Sequence, residues 1–211
     1  MKAAANHPGL TWRDRLLAAV SPFESGVRSL QVNGFRPPGV EYYRPTKTAA
    51  VLVPVLDIEQ PEVVLTRRAD HLVKHAGQVS FPGGAAEDHD DSAVQTALRE
   101  AWEEIGLPPE RTRPIGFLDR MDTISDYRVL PVVAMVQWPV IWKLDVREVA
   151  EVFTVPLSVA VDRKRYSMKQ VMRDGHEYVI WSLEWDRHVI WGATAAMLLN
   201  LATRIEHVTA N

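Results

Sequence analysis

The most informative part of this chain reads Arg99-Glu100-Ala101-Trp102-Glu103-Glu104-Ile105-Gly106-Leu107. It closes a segment, 92–106, that carries the signals of a helix. Ser92 followed by Gln95 fits a capping box at its start. Gly106 suits the residue after a helix end, and the prolines at 108 and 109 prevent continuation. The pattern therefore predicts a helix over 92–106 with three glutamates in its last two turns.

The glutamates fall on one side of this helix. On a helical wheel with Glu100 at zero, Glu104 lies at about 40° and Glu103 at about 300°. A separate apolar stripe, expected to face the core, consists of Val94, Leu98, Ala101 and Ile105. Trp102 falls beside that stripe, so we expect it to pack in the core.

The acidic stripe has two interpretations. Charge runs are usually solvated helix faces. However, like charges at i and i+4, as at Glu100 and Glu104, destabilise a helix by about 0.2–0.5 kcal/mol. A hard divalent cation bound by oxygen ligands explains the arrangement better. The turn at 81–84, with Gly83 and Gly84, favours this view, because glycine lets the backbone approach a ligand closely.

Residues 84–107 resemble the Nudix box. The second half matches from Arg99 to Leu107, whereas the first half places Ala85 at the Gly position and Asp91 at the first Glu position. Gly84 stands one residue too early, an offset typical of the coenzyme A pyrophosphatase branch. The resemblance to that branch also includes residues 65–69, 77–84, 123–125, 131–133, 148–157 and 191–195. A departure is Val73, where the branch usually carries Arg.

The resemblance implies an α/β fold of the α+β type, a Nudix-like α/β/α sandwich with a mixed β-sheet and flanking helices. We expect residues 48–207 to form the Nudix hydrolase domain, preceded by an N-terminal helix and extended arm over 1–47. Local patterns predict strands at 49–56, 62–66, 115–118, 129–137, 149–155, 166–172 and 176–181. The first two read as a hairpin, and Pro54 indicates an edge or a bulge. A C-terminal helix is expected over 189–207.

By the same resemblance, Glu100 and Glu104 would be the main ligands of Mg²⁺ or Mn²⁺. Glu103 would be a third ligand or would act on the attacking water, and Arg99 would orient a glutamate. The expected substrate-binding residues are Arg68, Gly83, Gly84 and Ala85. Arg67 and Arg68 point to opposite faces of a strand, and Arg68 occupies the signature position. A metal role for His71 and His75 requires a helix that nothing in the sequence indicates.

The implied activity is hydrolysis of the diphosphate bond of coenzyme A or its derivatives, giving 3′,5′-ADP and (acyl-)4′-phosphopantetheine. A second hypothesis keeps the fold but changes the substrate to ADP-ribose or another nucleoside diphosphate derivative. A third is a binding module without catalysis. The complete set of Arg99, Glu100, Glu103 and Glu104 argues against the third.

Composition limits the chemistry further. The 211 residues include no cysteine, so thiolate metal sites and cysteine nucleophiles are excluded. The formal net charge of −3 indicates neither nucleic acid nor an anionic membrane as partner. Apolar stretches fall short of the about 20 residues that span a bilayer. We expect a soluble, cytoplasmic protein that binds a small molecule, and a homodimer is compatible with the sequence.

Overall fold

The computed structural model describes residues 9–26, 30–34, 44–173 and 175–210. The helices are α1 Trp12–Ala19, α2 Ala93–Ile105, α3 Leu157–Ala160 and α4 Gly192–Ala210. The strands are β1 Val32–Gly34, β2 Lys47–Leu56, β3 Glu62–Arg68, β4 Val79–Ser80, β5 Gly83–Ala85, β6 Thr112–Phe117, β7 Arg120–Asp122, β8 Tyr127–Val136, β9 Val149–Pro156, β10 Tyr166–Arg173, β11 His176–Trp185 and β12 His188–Trp191. In the parts of the chain that these ranges cover, no helix has the length and apolarity to cross a membrane.

The main sheet is mixed. Its path is β1-β7-β8-β2-β3-β4, with β5 paired to β2, β6 to β8 and β9 to β3. β2 and β8 are parallel along their full length, from Lys47 opposite Tyr127 to Leu56 opposite Val136. β3 and β9 are antiparallel. The mixed sheet is therefore confirmed.

Two hydrophobic clusters cover the two faces of the sheet. Successive residues of a strand point to opposite faces, and β2 follows this rule. Leu52 packs with Ala101 of α2, whereas Val53 packs with Leu16 of α1 and Leu198 of α4. The layers are thus helix, sheet and helices, which confirms the expected α/β/α sandwich.

Pro54 lies in a central strand, so the prediction of an edge at this position was wrong. β2 has β8 on one side. On the other side it pairs with β5 at residues 49–51 and with β3 at Val55. Pro54 lies between the residues of β2 that pair with β5 and the residue that pairs with β3. Its missing N–H therefore interrupts neither pairing. The predicted hairpin of β2 and β3 meets at Val55 and Val63, while β3 pairs mainly with β9.

The C-terminal helix begins later than expected. Residues 188–191 form β12, which pairs with β11 in the smaller three-stranded sheet. The helix starts at Gly192, whose φ of 65° turns the chain from strand to helix. The predicted start at 189 was therefore wrong, because hairpin pairing with the preceding strand outweighed the local helical pattern.

The N-terminal segment contacts the rest of the molecule through both of its regular elements. α1 packs against α4, and β1 pairs in parallel with β7 at Val32 and Arg120. Much of the expected extended arm, including Pro37 and Pro38, lies outside the described residues.

Candidate active site

α2 is held at both ends by its own sequence. The Ser92 side chain accepts a hydrogen bond from the Gln95 N–H at 3.2 Å. The Gln95 Oε1 atom in turn accepts one from the Asp91 N–H at 2.7 Å. Gly106 adopts a left-handed φ of 65° and caps the other end. The predicted bounds of this helix are confirmed to within one residue.

The buried face of α2 is rotated from the predicted stripe. Ala97, Ala101 and Ile105 are fully buried, and Glu104 is only 6% exposed. Trp102 is 49% exposed, so the expectation that it packs in the core was wrong. The rotation brings one glutamate of the acidic stripe into the interior, against the turn that precedes the helix.

Strand β5 brings the glycines of that turn against the glutamates. The Gly83 N–H donates a hydrogen bond to Glu104 Oε2 at 3.2 Å. Gly84 lies so close to Glu100 that a Cβ atom added to it would stand 2.4 Å from Glu100 Oε1. β5 is fixed there by its pairing with β2, where Ala50 lies opposite Gly84. Glycine is therefore required for this close approach of backbone and carboxylate.

Arg99 connects the glutamates to the preceding loop. Its guanidinium donates to Glu100 Oε1 at 2.9 Å and to Glu103 Oε2 at 3.1 Å. It also donates to the Ala85 carbonyl at 3.2 Å and makes two bonds to Asp90, at 3.1 and 2.9 Å. These bonds, chiefly those to Asp90, raise the pKa of Arg99. Arg99 thus orients two of the three glutamates.

The three glutamates differ in burial and electrostatics. The side chain of Glu103 is 56% exposed and that of Glu100 is 16% exposed. Burial raises the pKa of Glu104 to about 8, with Glu100 and Glu148 adding to this effect and the Gly83 N–H opposing it. Burial also raises the pKa of Glu100, although Arg99 counteracts it. The site concentrates negative charge in a partly dehydrated place, which a cation would stabilise.

Glu148 is a fourth carboxylate at this site, and the sequence reasoning gave it no role. Its charge raises the pKa values of both Glu100 and Glu104. Its backbone carbonyl accepts from the Ala69 N–H at 2.8 Å. Its N–H donates to the carbonyl of Asp145, whose own N–H donates to the Glu104 carbonyl at 2.9 Å. The signal was present, because Glu148 belongs to one of the stretches that resemble the Nudix branch.

Asp90 is a second residue that the sequence reasoning missed. Box spacing had placed Asp91 at the position of the first acidic residue. In the structure it is Asp90 that bonds Arg99 and also accepts from the Thr96 hydroxyl at 2.9 Å. The bonds to Arg99 hold the pKa of Asp90 well below its usual range. The path of the loop in the fold, and not the spacing along the sequence, determines which aspartate bonds Arg99.

Arg67 and Arg68 lie on opposite sides of the sheet. Arg67 is bonded to Asp70 at 2.5 Å and lies 3.8 Å from Glu151. Arg68 is close enough to Glu104 to lower its pKa. The Nε atom of Arg68 is buried and has no hydrogen-bond partner in the part of the chain that the structure describes. The guanidinium of Arg68 therefore lies beside Glu104, with one nitrogen that no described group accepts from.

The segment between β3 and β4 forms turns and not a helix. His75 has a left-handed φ of 59°, and its Nδ1 atom is 2.8 Å from Gln78 Oε1. His71 and His75 therefore do not have the helical spacing that a shared metal would need.

The donors of this site suit a hard cation. Across the described residues, no three His, Asp or Glu side chains already converge on a point that would hold a metal ion. Two observations nevertheless fit such an ion: Glu104 is buried and forms no ion pair with any described residue, and every available donor is an oxygen atom. Glu100 and Glu104 could hold a divalent ion with a contribution from Glu103 or Glu148.

Comparisons with known proteins agree with this geometry. The NUDIX domain model matches residues 46–175. A NudL protein of Enterobacter sp. (strain 638), described as an uncharacterized Nudix hydrolase, is 42% identical over 160 residues, covering 75% of this chain and 83% of the relative. A NudL protein of Salmonella paratyphi B has the same identity over 159 residues.

A solved structure shows the same fold. The MutT protein from Methanosarcina mazei Go1 matches with a TM-score of 0.51 and 17% identity, covering 81% of this chain and all of that protein. The chain belongs to the Nudix family and is a pyrophosphohydrolase.

Proposed function

We propose that this enzyme hydrolyses the diphosphate bond of coenzyme A or its derivatives, giving 3′,5′-ADP and (acyl-)4′-phosphopantetheine. The main support for this proposal is that two stretches resembling the coenzyme A pyrophosphatase branch come together at the same site. Residues 65–69 end β3 at Arg68, and residues 77–84 lead through β4 to Gly83 and Gly84. Both reach the glutamates of α2, since Gly83 bonds Glu104 and Arg68 acts on its pKa.

We assign Glu100 and Glu104 as the main ligands of Mg²⁺ or Mn²⁺. A divalent ion in this place would neutralise phosphate charge and activate water. Glu103 is either a third ligand or acts on the attacking water. Arg99 is a positioning residue, because it bonds Glu100, Glu103 and the Ala85 carbonyl.

Substrate binding is assigned to Arg68 and to the backbone of residues 83–85. The position of Arg68 beside Glu104 supports this role, because charge-assisted bonds from guanidinium to phosphate are strong. Arg67 is the matched control, since it is ion-paired with Asp70 on the other face. Changing Arg68 to Ala is expected to raise KM for the substrate more than changing Arg67 to Ala does.

A second candidate substrate is ADP-ribose or another nucleoside diphosphate derivative. Val73 motivates it, because the coenzyme A branch usually carries Arg there and this side chain is fully exposed. Without that arginine, the segment between β3 and β4 has one positive charge fewer with which to bind a third phosphate group. Both candidates use the same metal site and differ only in what surrounds the diphosphate.

A substrate panel with product identification separates the two candidates. Purified protein with Mg²⁺ or Mn²⁺ should convert coenzyme A to 3′,5′-ADP and phosphopantetheine. Efficient turnover of ADP-ribose without turnover of coenzyme A would replace the first candidate by the second. The Val73→Arg variant should lower KM for coenzyme A. The matched control is Val179→Arg, at an exposed valine of β11.

We also propose the division of the chain into domains, the kind of partner and the cellular location. Residues 48–207 are the hydrolase domain and 1–47 are its N-terminal helix and arm. The partner is a small molecule and the location is the cytoplasm.

A further inference from the structure

Strand β10 is an edge strand. The smaller sheet has the order β10-β11-β12, so β10 pairs with β11 on one side. The register runs without a break from Tyr166 opposite Leu183 to Arg173 opposite His176. Alternate residues of an antiparallel strand direct their N–H and C=O groups to opposite edges. Half of these groups in β10 therefore point away from β11, toward the outer edge.

This edge lacks most of the features that usually block strand addition. Natural edge strands are often very short, bulged, interrupted by proline or charged, especially by lysine. β10 has eight residues, and its sequence YSMKQVMR contains no proline. Its one central charge is Lys169.

One face of the β10–β11 hairpin carries three exposed apolar side chains beyond the core, together with the polar Gln170 and Glu177. Met168 is 57% exposed, Met172 is 70% exposed and Val179 is 52% exposed. They share a face, because Val179 lies opposite Gln170, which is two residues from each methionine. Tyr166 begins the same face and is buried in the core. Contiguous exposed apolar side chains of this kind mark interaction surfaces.

We propose that β10 pairs antiparallel with β10 of a second copy of this chain, about a two-fold axis through Gln170. The two three-stranded sheets then form one continuous six-stranded sheet. Met168 of each copy lies opposite Met172 of the other, and Val179 of each copy extends the same apolar face. This inference is independent of the substrate.

The residues around Gln170 favour a second copy as the partner. A two-fold interface must be self-complementary, so that residue i contacts j and j contacts i. Met168 and Met172 are placed symmetrically about Gln170, which meets this requirement. An axis through Lys169 would set two lysines directly opposite each other, which is unfavourable. An axis through Val171 would carry Met168 past the end of the strand at Arg173.

The absence of cysteine allows a direct test of the register. In the proposed pairing, residue 170 faces its own mate at a Cα separation of about 5 Å, which a disulfide can bridge. The Gln170→Cys variant should form a disulfide-linked dimer under mild oxidation, reversed by a reductant. Lys169→Cys is the matched control, because its mate is displaced by two residues and lies beyond about 7 Å. Equal cross-linking of both variants, or of neither, would overturn the proposal.

The oligomeric state provides a second test. Light scattering of the full chain should give the mass of a dimer, and the double variant Met168→Lys with Met172→Lys should halve it. Both positions are exposed, so circular dichroism and hydrolytic activity should be unchanged. Ile141→Lys, at a residue 83% exposed outside the hairpin, should remain dimeric. A wild-type protein that is monomeric throughout the micromolar range would refute the proposed pairing.

Discussion

The carboxylate of Asp90 is held by two nitrogen atoms of Arg99, with Nε 3.1 Å from Oδ1 and Nη2 2.9 Å from Oδ2. The Asp90 side chain is only 1% exposed and that of Arg99 is 14% exposed. The same guanidinium contacts Glu100, Glu103 and the carbonyl of Ala85. The pair therefore joins the loop before α2 to the acidic face of the helix.

Changing Asp90 to Asn should weaken both the fold and the activity. The neutral amide loses the charge-assisted bonds to Arg99, and bonds to charged groups contribute about 1.5–3 kcal/mol. The lowered pKa of Asp90 predicts that this contribution is present above its unfolded value of 3.8 and is lost as the pH falls below it. Urea denaturation at several pH values measures the free energy of unfolding.

The matched control for this prediction is Asp91→Asn. The box spacing pointed to Asp91, but the contact to Arg99 is made by Asp90. The control should change stability by less than about 0.5 kcal/mol. A larger loss in Asp91→Asn than in Asp90→Asn would show that the spacing, and not the observed contact, identifies the important residue.

The variants Glu100→Gln and Glu104→Gln should each lose nearly all metal-dependent hydrolysis. An amide oxygen binds a divalent ion more weakly than a carboxylate does. The loss should exceed the roughly 10–100-fold effect of removing a partner that supports a metal ligand. Initial rates across a Mg²⁺ titration measure it, with the exposed Glu110→Gln as control. Two fully active variants would show that the ligand assignment is wrong.

The two adjacent glycines should respond differently to alanine. At Gly83 a Cβ would stand 2.5 Å from the Ala50 carbonyl oxygen and from the Val51 Cα, which are backbone atoms that have no room to move. Gly83→Ala should therefore cost about 1–3 kcal/mol of stability or more. At Gly84 the Cβ meets the movable carboxylate of Glu100.

Gly84→Ala should therefore retain most of its stability and lose activity. Displacing a reacting group by about 1 Å can cost about 100-fold in rate. Thermal denaturation and kcat, measured on both variants, test the contrast. Equal loss of stability in the two would contradict the close approach of Gly84 to Glu100.

The stability of the metal-free protein should fall as the pH rises from about 4.5 to about 8. Burial raises the pKa of Glu104 from 4.5 to about 8, so the folded protein keeps a proton that the unfolded chain releases in this range. The effect should be roughly a few kcal/mol at pH 8. Glu104→Gln should flatten this dependence, as followed by urea denaturation in a chelator.

Adding Mg²⁺ should reverse that trend in the wild type. The ion binds the ionised carboxylate, so it should raise Tm more at pH 8 than at pH 5. The Glu104→Gln variant should show little of this rise. An identical Mg²⁺ effect in both proteins would place the ion elsewhere.

Local signals were sufficient for the helix that carries the chemistry. Ser92 and Gly106 bound α2 because caps and glycine act through neighbouring backbone groups. The acidic stripe and the run from Arg99 to Leu107 likewise depend only on spacing along one helix. The class of fold and the choice of candidate glutamates could therefore be predicted from the sequence.

Only tertiary structure decided which other residues join the site. Glu148 reaches the glutamates through loop contacts between distant segments. β12 replaces the start of the predicted C-terminal helix because it pairs with β11. The pKa of Glu104 depends on burial, which spacing does not report. Sequence periodicity shows which residues share a face of one element, whereas the fold determines what that face meets and how much water it excludes.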